Sequence, residues 1–255
     1  MVLTPEQIAT FRQRGYVVEK GFIGPADVGR LGGWLDALAS TPEGSGSEAR
    51  YYEKSPVTGQ NMLVRVENFI GPDHAEASRI LLPEKARQAL QELLGEPAVL
   101  FKEKINYKLP GCRADKLHQD QSAGWNAYCD FFITMAVAVD ENRLDNAALS
   151  FLATGRYDKR LMTPEWQPLS QDDPPYQPEA DYALIEADPG DVIFFDSYVP
   201  HGSPPNRGKR QRRNIYLTFN RSSAGDMRRR YYTDKWASYP PNRPGEARED
   251  KSYRV

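Results

Sequence analysis

Two of the three histidines in this 255-residue sequence stand where they could bind a metal ion. His118, in the stretch DKLHQDQ, comes two residues before Asp120, and side chains at i and i+2 of an extended strand point to the same face. His201 follows an apolar run in PGDVIFFDSYVPHGS. Non-haem iron(II) oxygenases use two imidazoles and one carboxylate on one face of an octahedron. The pattern therefore predicts an iron site made by His118, Asp120 and His201.

A basic segment, RGKRQRR, lies between two apolar runs, and five of its seven residues are basic. As a group these residues are typical of a solvated loop, but one arginine could still point inward. Adjacent strand residues face opposite ways, so only one of Arg212 and Arg213 can do so. If Arg212 points inward, the inner face is polar and the outer face is apolar, as a barrel with a wet site and a helix-covered exterior requires. The inner set would be Arg212, Asn214, Tyr216 and Thr218, and the outer set Arg213, Ile215, Leu217 and Phe219.

Composition narrows the classes of function. A formal net charge of −2 and a pI near 6.0 argue against general binding to nucleic acid or to an anionic membrane. Two cysteines, Cys112 and Cys129, cannot form a disulfide framework, which favours a reducing cytoplasm. The first residues lack a charged-then-apolar leader, and no apolar run approaches the ~20 residues that span a bilayer. We expect a cytoplasmic protein that binds a small molecule, and the sequence leaves its oligomeric state open.

The first third of the chain is typical of amphipathic helices. In TPEQIATFRQRG, Thr4 predicts the N-cap of a helix and Gly15 its end. Apolar residues at helical spacing predict two more helices farther along. The expected elements of this part are helices over 4–15, 24–40 and 83–95, a short strand over 16–22 and a polar loop over 41–60.

From residue 97 onwards the sequence changes to short β runs separated by Pro, Gly, Asp and Asn. Strands of this length and spacing favour an antiparallel sandwich or barrel over a parallel α/β sheet. We therefore expect an α+β fold in which the helices cover one face of a β core. The expected organisation is a single domain, 1–255, with mainly helical cover over 1–96, the β core over 97–221 and a C-terminal segment near the active-site mouth over 222–255.

Several segments resemble the phytanoyl-CoA dioxygenase family of iron(II)- and 2-oxoglutarate-dependent oxygenases, which includes ectoine hydroxylase and bacterial aminophosphonate hydroxylases. The resemblance rests on INYKLPG, HQD, PGDVIFFDSYVPHGS, RRNIYLTFNR and the opening LTPEQIATFRQRGYVVEKGFI. It implies a double-stranded β-helix, or jelly-roll, core. It also implies Fe(II) as cofactor, with 2-oxoglutarate and O2 as co-substrates.

The same resemblance assigns roles to individual residues. His118, Asp120 and His201 match the iron ligands, and Arg212 matches the arginine that binds the distal carboxylate of 2-oxoglutarate. A guanidinium suits this role because it grips a carboxylate through two parallel hydrogen bonds. Further co-substrate contacts are expected from Ser203, Asn106 and Lys102.

The reaction that the family implies is hydroxylation of an unactivated C–H bond with release of succinate and CO2. Desaturation, epimerisation or cyclisation would need the same ligands, so they stay open. Asp120 stands where iron halogenases have a small residue, which argues against chlorination. In NAALSFLATGRYDKR the family's glycine, proline and histidine are replaced by Ala147, Ala153 and Arg156, which puts the substrate in doubt more than the chemistry.

Fewer residues indicate the substrate than indicate the metal and the co-substrate. Trp125 and Tyr128 follow the H-x-D motif and are expected on a loop near the mouth, over either the substrate or the core. Arg65 and Glu67, in NMLVRVENF, would suit a zwitterionic or anionic molecule, with a surface salt bridge as the alternative. The basic, aromatic tail is similar to that of the aminophosphonate branch. We expect a small polar metabolite, such as an amino acid, an amine-bearing acid or phosphonate, or a biosynthetic intermediate.

Two other classes of protein could share some of these residues. A jelly-roll binding protein without catalysis would have no reason to keep three metal ligands and an inward arginine. A zinc hydrolase could use two histidines and an aspartate, but it would have no use for that arginine. The third histidine, His74, has no partner at ligand spacing, and we expect it to be a solvated loop residue.

Overall fold

Two antiparallel sheets form the centre of the molecule in a computed structural model that describes residues 1–41, 46–153, 158–170 and 182–241. Its helices are α1 (Pro5–Arg14), α2 (Pro25–Ser40), α3 (Ala75–Leu81), α4 (Glu84–Leu94) and α5 (Arg228–Ser238). Its strands are β1 (Tyr16–Glu19), β2 (Ala49–Lys54), β3 (Asn61–Glu67), β4 (Ala98–Lys108), β5 (Asp115–His118), β6 (Ile133–Ala138), β7 (Leu149–Leu152), β8 (Tyr182–Ile185), β9 (Val192–Asp196), β10 (His201–Ser203) and β11 (Arg212–Arg221). The α+β class and the core strands predicted from the sequence are confirmed.

The larger sheet has seven strands in the order β1-β9-β6-β11-β4-β3-β2, and the smaller has four in the order β5-β10-β7-β8. Their inner faces meet in a small apolar cluster, where Leu149 and Phe151 of the smaller sheet pack with Phe195 of the larger. The helices lie on the opposite face of the larger sheet. There they complete the main core with apolar residues of β6, β9 and β11.

Helix α1 begins and ends where the sequence predicts. The Thr4 hydroxyl accepts a hydrogen bond from the Gln7 backbone N–H, and the Gln7 side chain accepts one from the Thr4 N–H, which together form a capping box. Gly15 ends the helix in the left-handed region, at φ 79°. One face of the helix is thereby held against the core through the buried Phe11.

Strand β11 lies in the middle of the larger sheet and carries the predicted alternation. Ile215, Leu217 and Phe219 belong to the main core beneath the helices. Tyr216 belongs to the cluster between the sheets, and Thr218 shares a hydrogen bond with Thr134 of β6. The prediction of an apolar outer face and a more polar inner face is confirmed for this strand.

The expected loop over 41–60 was wrong in its middle part. Residues 49–54 form β2, the edge strand of the larger sheet, which pairs with β3. The segment 1–96, expected to be mainly helical cover, thus contributes three strands to that sheet. The run ARYYEK has no clear alternation of apolar and polar residues, and an edge strand has a partner on one side only, so the local pattern was weak.

Helix α5 is the main described element of the C-terminal segment. Its Tyr232 hydroxyl donates to the Glu103 carbonyl of β4, 2.9 Å away, and Arg228 donates to the Glu103 carboxylate. Residues 242–255, which include the end of the basic and aromatic tail, lie outside the described residues, as does Arg156. Among the helices that the structure describes, none is both long and apolar enough to cross a bilayer.

Candidate metal centre and adjoining cavity

The two predicted histidine ligands are brought together by strand pairing in the smaller sheet. β5 and β10 run antiparallel, with His118 directly opposite His201 in the register. The centroids of the two imidazole rings are 4.5 Å apart. Residues distant in the sequence therefore become neighbours through backbone hydrogen bonds between two short strands.

Asp120 joins them from just beyond the end of β5. The strand ends at His118, and Asp120 begins a short 3₁₀ turn, Asp120–Ala123, but Gln119 between them keeps an extended backbone. The two side chains therefore still project to the same side, as the H-x-D spacing predicts. The Asp120 Oδ1 atom lies 3.6 Å from His118 Nε2 and 4.0 Å from His201 Nε2. The three potential ligand atoms all lie within 4.8 Å of one another.

Backbone carbonyls fix which nitrogen each imidazole presents. His118 Nδ1 lies 2.7 Å from the Lys116 carbonyl, and His201 Nδ1 lies 3.0 Å from the Val199 carbonyl. A carbonyl can only accept a hydrogen bond, so both Nδ1 atoms carry the proton and both Nε2 lone pairs face Asp120. Among the described residues, the buried Asp120 Oδ1 has no hydrogen-bond partner. Such a donor set fits a divalent cation.

The electrostatics of the three residues agree with this fit. Burial lowers the pKa of His201 to about 4, so the imidazole is neutral at physiological pH. Burial opposes ionisation of Asp120, but its neighbours His118, His201 and Lys104 together hold the pKa of its carboxyl below the usual range. Metal ions bind to neutral imidazole and ionised carboxylate, so His201 and Asp120 are already in their binding forms.

Arg212 lies at the start of β11 and is fully buried. Its Nη1 donates to the Tyr216 hydroxyl, 3.1 Å away. Its Nε and Nη2 atoms, also buried, have no hydrogen-bond partner among the described residues. A buried guanidinium with two unused donors is costly unless an anion binds it, and a carboxylate fits such a pair of donors. Arg212 thus fits the distal carboxylate of a dicarboxylic acid.

Beside the metal centre is a cavity of about 1340 Å³, bordered by both histidines. Five basic side chains and one acidic side chain are among its described lining. The acidic one, Asp115, is bound by Lys108 at 3.0 Å and by the Ser203 hydroxyl at 3.2 Å. The basic ones are Arg65, Lys104, Arg113, Lys116 and Arg207.

The predicted co-substrate residues lie at different depths. Asn106 lines the cavity, and its Oδ1 has no partner among the described residues. Lys102 shares its strand face but lies behind the cavity, where its Nζ is 4.5 Å from the centre of the Trp125 ring and donates to the Tyr231 hydroxyl. Burial holds the pKa of Lys102 well below its usual range. Lys104, between the two, was not predicted and does line the cavity.

The two aromatic residues expected at the mouth do not line the cavity. Trp125 is 1% exposed and packs with Phe101 and Phe132, so of the two uses considered for it the structure favours the core. Tyr128 donates from its hydroxyl to Asp234 of α5 at 2.8 Å. An aromatic side chain that does line the cavity is Trp166, which packs over Gly124 and follows no motif in the sequence.

Arg65 and Glu67, which were expected either to bind the substrate or to form a surface salt bridge, lie 3.7 Å apart and away from the surface. Both Glu67 oxygens accept hydrogen bonds from Lys235 of α5, at 2.6 and 2.7 Å, while Arg65 lines the cavity. His74, expected to be solvated, was also placed wrongly. It is partly buried away from the metal centre, where it accepts a hydrogen bond from Trp34 Nε1 at 3.2 Å and faces Glu48.

The sequence matches a known protein family over most of its length. Residues 11–214 match the model of the phytanoyl-CoA dioxygenase family. A 2-aminoethylphosphonate dioxygenase from the uncultured bacterium HF130_AEPn_1 is 37% identical over 250 residues, which cover 98% of this chain and 93% of that one. A methylphosphonate hydroxylase from Gimesia maris is 32% identical over 237 residues, which cover 93% of this chain and 88% of that one.

Solved structures support the fold. EctD from S. alaskensis, in its apo form, aligns with a TM-score of 0.68 at 19% identity and covers 88% of this chain and 79% of that one. The epimerase SnoN, solved with Fe3+, alpha ketoglutarate and nogalamycin RO, aligns with a TM-score of 0.65 at 15% identity and covers 96% of both chains. The expected double-stranded β-helix core is confirmed.

Proposed function

The chain belongs to the phytanoyl-CoA dioxygenase family, and we propose that it hydroxylates a C–H bond of a small organophosphonate. It is an iron- and 2-oxoglutarate-dependent dioxygenase. The observation that carries the proposed substrate class is the excess of basic side chains around the cavity beside the metal centre. The two phosphonate enzymes that the chain resembles point the same way.

We assign iron(II) to His118, Asp120 and His201, and the distal carboxylate of 2-oxoglutarate to Arg212. When bound, the cofactor and co-substrates supply the oxidation, in which 2-oxoglutarate is decarboxylated to succinate and CO2 while O2 provides the oxygen atom of the new hydroxyl group. The protein determines position. The carbonyls of Lys116 and Val199 hold the two imidazoles in orientation, and Arg212 fixes one end of the co-substrate.

A phosphonate fits the remaining cavity by charge. It carries up to two negative charges and three acceptor oxygens, which guanidinium and ammonium groups bind through charge-assisted hydrogen bonds. The single lining carboxylate, Asp115, is already bound by Lys108, Arg113 and Ser203. Arg65 and Lys104 line the cavity from neighbouring strands, β3 and β4, where they could bind one anionic group together.

Hydroxylation is favoured over desaturation, epimerisation or cyclisation because both phosphonate relatives are named as a dioxygenase or a hydroxylase. A zinc hydrolase would have no use for the two unpaired donors of Arg212, whose burial would be costly without a ligand. A binding protein without catalysis would have no reason to keep three metal ligands as well.

The test is aerobic turnover with Fe(II) and 2-oxoglutarate, using 2-aminoethylphosphonate and methylphosphonate as substrates. The matched control is 3-aminopropanoate, which carries a carboxylate where 2-aminoethylphosphonate carries the phosphonate. We expect succinate and an oxygenated phosphonate in equal amounts, and little succinate with the control. Equal turnover of the carboxylate, or turnover of amines alone, would overturn the phosphonate assignment.

A further inference from the structure

We propose that Glu67 and Lys235 form a buried pair that positions Arg65 to bind the anionic end of the substrate. This inference rests on the proposed function, since it names how one basic residue of the cavity is kept available. Lys235 comes from α5, beyond the catalytic strands, and neither it nor Glu67 lines the cavity. Both are therefore positioning residues, and Arg65 is the binding residue.

The geometry separates the two cations that compete for Glu67. Arg65 and Glu67 are two residues apart on β3, so they share one face of the sheet. Lys235 Nζ donates to both Glu67 oxygens, at 2.6 and 2.7 Å, whereas Arg65 Nη1 is 3.7 Å from the nearer one. Arg65 Nε is buried without a hydrogen-bond partner among the described residues. Lys235 thus satisfies the carboxylate, and the guanidinium remains directed at the cavity.

Removal of Lys235 would change that balance. Glu67 is 1% exposed, so its negative charge would be left buried without a partner. The guanidinium 3.7 Å away is the nearest replacement in the described structure, and arginine forms bidentate bonds with carboxylates. Arg65 would then close on Glu67 and withdraw donors from the cavity. Lys235 therefore acts by keeping Glu67 from forming a close salt bridge with Arg65.

Helix α5 delivers Lys235 from a fixed position. The Tyr232 hydroxyl accepts from the Glu103 N–H at 3.1 Å and donates to the Glu103 carbonyl at 2.9 Å. Arg228 donates from its Nε to the Glu103 carboxylate at 3.0 Å. These contacts do not involve Lys235, so the helix should stay docked when Lys235 is replaced.

The charge state of Lys235 supports the same role. Burial lowers the pKa of Lys235 to about 8, although Glu67 acts to raise it. Above that pH the lysine loses its proton and releases Glu67 to Arg65. Other charged or titratable groups around the pair are Arg65 of β3, Lys102 and Lys104 of β4, Tyr51 of β2, and Tyr231 and Tyr232 of α5.

The first test is steady-state kinetics with 2-aminoethylphosphonate. Lys235→Met keeps the length of the side chain and removes its charge, and we expect the KM for the phosphonate to rise about tenfold or more while the KM for 2-oxoglutarate stays within about twofold. Lys235→Met/Glu67→Gln removes the competing carboxylate as well and should recover most of the wild-type KM. Arg229→Met, on the exposed side of the same helix, is the matched control for loss of one positive charge.

The pH profile gives a second readout that a purely structural pair would not move. In the wild type the KM for the phosphonate should rise above pH 8, and Glu67→Gln should abolish that rise. An unchanged KM in Lys235→Met, or a double variant as poor as the single one, would overturn the proposal. The double variant also covers the case in which Lys235→Met alone folds poorly.

A third readout separates this proposal from the proposed function. Phenylglyoxal modification of Arg65, followed by peptide mass mapping, needs no turnover. We expect Arg65 to react in the wild type, to react slowly in Lys235→Met and to react again in the double variant. If that order holds but no phosphonate is turned over, the positioning stands and the proposed substrate is wrong. If phosphonates are turned over but Arg65 reacts equally in all three proteins, the positioning is wrong.

Discussion

Two adjacent arginines at the start of β11 lie on opposite faces of the larger sheet and have opposite surroundings. Arg213, on the outer face, donates to both Asp140 oxygens at 2.8 and 2.9 Å and to Asp36 of α2 at 2.6 Å. Arg212, on the inner face, has the Tyr216 hydroxyl as its hydrogen-bond partner, and two of its buried donors are unused among the described residues. The same residue type is thus satisfied by the protein on one face and has unused donors on the other.

This difference extends beyond the two arginines. On the outer face, Arg213 ties α2 to the sheet and is paired with Asp140 and Asp36, and much of the rest of that face is apolar core. On the inner face, Asp120 Oδ1, Asn106 Oδ1 and the Arg212 donors are buried without protein partners in the described part of the chain. Native proteins seldom bury such atoms unsatisfied, and those of Asp120, Asn106 and Arg212 are the kinds of atom that a metal ion or an anionic ligand would engage. Residues of the inner face should therefore affect activity, and those of the outer face should affect stability.

The largest expected effect is that of replacing His201 at the metal centre, and a histidine on the other side of the larger sheet serves as the control. His201→Ala should remove stoichiometric iron and lower turnover by more than about 100-fold, because loss of a direct ligand should exceed the 10–100-fold effects seen when residues that orient ligands are removed. His74→Ala is the matched control, since His74 lies away from the cavity with Trp34 and Glu48. Iron content and succinate formation measure both variants. Full activity in His201→Ala would refute the assigned metal centre.

An intermediate effect is expected from the two arginines. Arg212→Ala should raise the KM for 2-oxoglutarate by about one to three orders of magnitude, given ~2–5 kcal/mol for truncating one partner of a buried charge pair. Iron affinity should stay nearly unchanged. Arg213→Ala should leave that KM unchanged and lower the free energy of unfolding by about 1–3 kcal/mol, because Asp140 loses its partner.

Kinetics with varied 2-oxoglutarate and denaturant unfolding distinguish these two outcomes. A KM defect in Arg213→Ala without one in Arg212→Ala would show that the roles of the two arginines are reversed.

The sequence predicted those parts that depend on local period and motif. Strands β4, β6, β7, β8, β9 and β11, the α1 caps and the two faces of β11 all follow from patterns within a dozen residues. The three metal-binding candidates were found because histidine is rare and because Gln119 is extended, so His118 and Asp120 project to the same side as the H-x-D spacing predicts. The edge strand β2 was missed because its pattern is weak and its pairing with β3 is a tertiary contact.

The distance of each side chain from the cavity could not be predicted. The alternation of side chains along a strand shows which face a residue is on, but not how far along the strand the cavity extends. Lys102 and Lys104 share one face of β4, yet Trp125 covers the first while the second lines the cavity. The partner of Glu67 could not be predicted from the sequence either. Lys235 lies far along the chain, on a helix that follows the catalytic strands, and nothing in the local sequence links the two.

The smallest expected effect concerns a second pair of adjacent residues, Ala147 and Ala148. Both are fully buried, but Ala147 adopts φ 72°, in the left-handed region, after the short turn Leu144–Asn146, while Ala148 does not have a positive φ. Either alanine-to-glycine change removes a buried methyl group, worth ~0.8 kcal/mol, and adds ~0.5–1 kcal/mol of backbone entropy cost. Only at Ala147 does glycine also relieve ~1–2 kcal/mol of left-handed strain.

Ala148→Gly should therefore lower the free energy of unfolding by about 1–2 kcal/mol, whereas Ala147→Gly should change it by less than ~1 kcal/mol, because relief of strain offsets the other two terms. Denaturant unfolding of the two variants, with wild-type protein alongside, measures the difference. The KM for 2-oxoglutarate should be unchanged in both, since neither residue lines the cavity. Equal destabilisation would mean that Ala147 is held in the left-handed region without strain, so that its departure from the family's glycine has no consequence for stability.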